Sequence, residues 1–117
     1  MKLVLVDICD RFSRDVVVLN SFAKILDGLN IEEEKYYNHV KEISDDVYGI
    51  AKQFRDFKRK YDIISYNIEV AKMYESLYDK LCDISVACAR FSKIRIEESI
   101  HKFDVAVNDF KIAIYDL

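Results

Sequence analysis

The sequence predicts an all-α protein, an antiparallel up-down bundle of four long helices, on three observations. Apolar residues recur at alternating spacings of three and four along most of the chain, the seam of a buried helix face. There are two glycines and no proline in 117 residues, too few breakers for the turns of a sheet fold. No linker, repeat or low-complexity stretch interrupts the pattern, so the whole chain, 1–117, is expected to form a single domain.

The first helix follows Leu5, Cys9, Phe12, Val16, Leu19, Ala23 and Leu26, and Gly28 closes it. The run Val16, Val17, Val18 is β-branched, so a break near Ser13–Asp15 is one expectation. The second helix opens on Asn30, with Glu33 three residues on as a capping box. Its stripe is unbroken: Tyr36, Val40, Ile43, Val47, Ile50, Phe54, Phe57 and Tyr61. Acidic Glu32–Glu34 and basic Lys58–Lys60 match the two ends of its dipole. Asp62 caps the third helix, with Ile63, Val70, Tyr74, Leu77, Leu81, Ile84, Cys88 and Phe91 on its stripe. Ile64, Ala71, Tyr78 and Ser85 form a second row and imply a wide buried face. The fourth carries Ile96, Ile100, Phe103, Val107, Phe110, Ile114 and Leu117, one residue out of phase with the third. That slip and Ser92 predict a turn near 91–94; a single bent helix over 63–117 is the other reading. The four lengths come to roughly 24, 31, 30 and 23 residues, similar enough for antiparallel neighbours.

Composition narrows the function. The chain is 51% hydrophobic and 33% charged with a net charge of −3, which offers no global attraction for nucleic acid or an anionic membrane. No stretch approaches the 18 apolar residues of a membrane span, and the first charges come too early for a secretory leader. Cys9, Cys82 and Cys88 are odd in number, lack CxxC spacing and fall on apolar positions. Buried reduced thiols in a cytoplasmic setting, of a cell or an infected host cell, are the expectation, with no metal and no cofactor.

Chemical constellations are sparse. Lys52, Arg55, Lys58, Arg59 and Lys60 cluster around Phe54 and Phe57, but those rings lie on the core stripe, so the charges read as compensation of a helix C-terminus. Glu98 and His101 have the spacing of a di-iron bundle pair, yet the second Glu-x-x-His is missing, since Tyr36 precedes His39. His39 reads as a solvated histidine. No catalytic residues are assigned. Apolar residues away from the stripes, Tyr37, Tyr48, Tyr66, Val105, Ile112 and Tyr115, are the candidate partner-binding set. The leading reading is therefore a non-enzymatic interaction module that binds a protein partner or itself, as a homodimer, through a helix face.

Two resemblances accompany it. Arg95 and His101, with five residues between them, look like the Arg–His arrangement of the HEPN family, which implies a ribonuclease acting through two protomers. NSFAKIL at 20–26, NIEVAK at 67–72 and KIRIEES at 93–99 resemble strings of the small poxvirus Bcl-2-like proteins. That resemblance implies a homodimeric modulator of host apoptosis or innate signalling, working by a helix-in-groove contact.

Overall fold

The computed structural model describes residues 1–117 and is all-helical, with no strand. Its helices are α1 (Lys2–Asp27), α2 (Glu34–Lys60), α3 (Ile63–Tyr66), α4 (Ile68–Ala89) and α5 (Lys93–Tyr115). The four long ones enclose one core of 29 buried residues within extents of 49 × 23 × 17 Å. Contacts run from α1 to α2, α2 to α4, α4 to α5 and α5 back to α1. Burial of the predicted stripes holds these helices together, because each alone would leave a row of apolar side chains in water. Phe12 of α1 stacks on Phe54 of α2, centroids 4.2 Å apart and rings 6° from parallel. Tyr74 of α4 joins them and donates its hydroxyl to the Phe54 carbonyl at 2.7 Å, so its buried oxygen is satisfied.

The structure departs from the sequence reading at several local points. α1 is continuous through Ser13–Asp15: the Ser13 hydroxyl donates to the Cys9 carbonyl of the preceding turn at 2.9 Å. Asn30 does not cap α2. Its side chain accepts from the Glu32 amide within a turn, and the helix begins at Glu34 after an N-cap at Glu33. Gly28 does end α1 as expected, though in the right-handed region at φ −82°, so the left-handed freedom of glycine is not used there.

The predicted third helix is two elements. Asp62 does cap a helix, through the Ser65 amide, but only the single turn of α3. Asn67 then adopts an extended backbone, and its side-chain oxygen accepts from the amides of Glu69 and Val70. An asparagine offers the backbone this local alternative to helical bonding, and here it restarts the helix. The wide second row is also narrower than expected. Ala71 is buried, but Ile64 and Ser85 are exposed. Residues 63–117 do turn between α4 and α5: Ser92 caps α5 through the Arg95 amide, and Phe91 takes a positive φ of 50°. Phe91 is therefore drawn off the core stripe and part-exposed.

Candidate interaction surface

Interior polar groups first show what the fold uses for itself. His39, expected in solvent, is buried between α1 and α2. Its Nε2–H donates to the Phe22 carbonyl at 2.8 Å, and the Phe22 ring meets the imidazole edge-on at 5.4 Å. Nδ1 lies 3.4 Å from the Glu42 carboxylate. This is a joint between helices: position 39 turns inward because it sits beside Val40 and Ile43 on the α2 stripe. Tyr36 donates its hydroxyl to the Phe91 carbonyl and anchors the α4–α5 turn. Lys93 reaches from the start of α5 to the carbonyls of Asp27 and Leu29, at 2.6 and 3.3 Å, and completes the C-terminus of α1.

Cys9 and Cys88 are buried, and burial raises both thiols to about 11. Cys82, expected inside with them, is exposed on the outer side of α4, one residue past the Leu81 stripe position.

Asp15 on α1 and Asp46 on α2 both have a buried carboxylate oxygen, Oδ2, with no hydrogen-bond partner. Burial pushes Asp15 up to about 6, the charge of Asp46 adds to the rise, and Arg14 opposes it. Asp46 is raised by burial as well. No three His, Cys, Asp or Glu side chains converge as metal ligands.

The basic cluster at the end of α2 is largely answered within the chain. Lys58 pairs with Glu75 of α4, Arg59 reaches Asp56 at 4.0 Å, Arg55 lies over the Tyr48 ring at 6.0 Å, and Lys60 lies over Tyr61 at 5.5 Å. Phe54 and Phe57 are in the core. A shallow cleft of about 210 Å³ opens beside Lys58, lined by Tyr61, Ile63, Ala71 and Tyr74 among others.

All six residues singled out for partner binding are exposed, but they do not form one surface. Tyr37 packs against Tyr36 and Phe91 at the end of the molecule that holds the α4–α5 turn. Tyr48 points out from the middle of α2, and Tyr66 sits on α3. Val105, Ile112 and Tyr115 share α5, whose main neighbours are α1 and α4. The last three belong to a longer row that includes Ile94, which sequence reasoning passed over. Ile94 is 68% exposed, Val105 48%, Ile112 53% and Tyr115 51%. The signal that could have found it was present: Ile94 stands eleven residues, three turns, before Val105. Arg95 and His101 are also exposed on this helix. No helix is long and apolar enough to cross a membrane. No family model, curated protein or solved structure matches the chain.

Proposed function

We propose that this chain is a non-enzymatic interaction module, an antiparallel up-down four-helix bundle that engages a protein partner or a second copy through a helix face. The up-down arrangement is supported by pairs at opposite ends of neighbouring helices. Phe12 meets Phe54 while Phe22 meets His39, and Asn20 bonds Asp104 while Lys93 bonds the Asp27 carbonyl. Tyr36 reaches Phe91 as Tyr74 reaches Phe54.

The observation that carries the functional reading is the row of exposed apolar side chains on α5, a helix whose other face is already filled by Ile96, Ile100, Phe103, Val107, Phe110 and Ile114. A helix with apolar residues on both faces leaves surface to cover, and protein association covers it. Buried free thiols fit a reducing compartment, the cytoplasm of a cell or of an infected host cell. The alternative form, a poxvirus Bcl-2-like modulator, rests on the three short strings and calls for binding of an isolated amphipathic helix. The test of the main reading combines affinity capture from a cell extract with light scattering on the pure chain. Capture or self-association that is lost on Ile112→Asp supports it; a monomer that retains nothing refutes it.

A further inference from the structure

We propose that the covering partner of α5 is α5 of a second copy, laid antiparallel across it about a two-fold axis at Val105. This rests on the interaction-module reading and names its occupant. The outward positions of α5 follow one another at spacings of four and three: Ile94, Glu98, His101, Val105, Asn108, Ile112 and Tyr115, every one exposed. Such a row has the spacing of a coiled-coil seam, apolar at Ile94, Val105, Ile112 and Tyr115 and polar at Glu98, His101 and Asn108. Reversed upon itself about Val105, it sets Ile94 against Tyr115 of the other copy, Glu98 against Ile112, His101 against Asn108 and Val105 against Val105. Apolar layers then fall at the centre and both ends, and the imidazole meets a side-chain amide that can bond it.

The flanking charges complement one another in the same register. Arg95 and Lys102 line a groove with Asp83, Val86 and Ala87 of α4, and Asp109 and Asp116 continue that row along α5 at seven-residue steps. The antiparallel pairing sets Arg95 opposite Asp116 and Lys102 opposite Asp109, and symmetry makes each pair twice. All four are exposed, and none makes an ion pair within its own chain. On the α1 side Glu97 falls opposite Lys111. Asp104 there falls near its own copy, with its carboxylate turned to Asn20 of α1 at 3.2 Å. A parallel pairing would instead stack Glu98 on Glu98 inside the seam, where like charges repel. Exposed ion pairs add little affinity, so here they select direction while the apolar layers supply attraction.

Sedimentation and light scattering on the full chain from about 1 µM to about 1 mM test the pairing. The expected result is a dimer whose dissociation constant rises at least about tenfold in Val105→Asp, with unchanged circular dichroism because that side chain is half exposed. Lys102→Glu alone should weaken the dimer at least about threefold, and adding Asp109→Lys should restore it. In a Cys82→Ser background, mild oxidation should cross-link Val105→Cys to itself. Ile94→Cys should cross-link only when mixed with Tyr115→Cys. A dimer indifferent to Val105→Asp overturns this interface but leaves self-association, and with it the broader function, standing. A chain that stays monomeric overturns the dimer, and the capture experiment then decides the broader function separately.

Discussion

Replacing Asp15 by asparagine should stabilise the protein at neutral pH, although it removes a charge from a partly exposed position. The reason lies at the α1–α2 contact. Asp15 and Asp46 approach from different helices, and each holds a carboxylate oxygen buried without a donor. Ionising Asp15 there costs desolvation and then repulsion from Asp46, which together raise it from an ordinary 3.8 to about 6. At full strength a rise of that size corresponds to about 3 kcal/mol, and solvent screening at this partly open site reduces it to about 1 kcal/mol. The sign follows from proton uptake. The folded state holds the Asp15 proton more tightly than the unfolded state. The penalty is therefore absent below the unfolded value near 3.8, grows as pH rises through about 6, and is full above it. Asparagine, isosteric and always neutral, escapes that penalty. Urea unfolding of wild type and Asp15→Asn at a series of pH values measures the difference. The variant should be more stable by about 1 kcal/mol at pH 7.5, a gain of roughly 4 °C in melting temperature for a domain of this size, and the gap should close near pH 4. Asp46→Asn should act in the same direction, and the double variant should gain less than the sum, because the two carboxylates share one repulsion. A gap that is independent of pH, or a variant less stable than wild type at pH 7.5, would refute the reasoning.

Three further outcomes check other parts of the structure. Phe54→Ala should cost about 3–5 kcal/mol by chemical denaturation, since it removes the ring stacked on Phe12 and tilted against Tyr74, and leaves a cavity between three helices. Asn67→Ala should cost about 1 kcal/mol, because two α4 amides lose their acceptor, whereas Asn67→Asp should keep most of the stability. A thiol reagent on the native protein at pH 8 should label Cys82 alone, with Cys9 and Cys88 reacting only after unfolding; rapid native labelling of all three would contradict the burial that holds the inner pair near 11.

The residues that make up the core were legible in the sequence because a helix repeats every 3.6 residues and must hide whatever repeats with it. Leu5 to Leu26, Tyr36 to Phe57, Val70 to Cys88 and Ile96 to Ile114 read as stripes, and almost all of their members are buried. Ser92 was legible as a cap for the same local reason: its hydroxyl serves an amide three residues away. What sequence could not decide is what stands opposite a residue just off its stripe. His39, Asp15 and Cys82 all occupy such positions. Whether each faces a neighbouring helix or water depends on how far that helix is rotated about its axis and at what height its neighbour passes, and packing sets both. Asn67 shows the same limit for the backbone, since the periodicity continues through it while its side chain ends one helix and begins the next. The outer row of α5 belongs to both sides of this division. Its spacing is written in the sequence, but only the placement of α1 and α4 on the opposite side leaves Ile94, Val105, Ile112 and Tyr115 uncovered, because a helix can bury no more of its circumference than its neighbours reach.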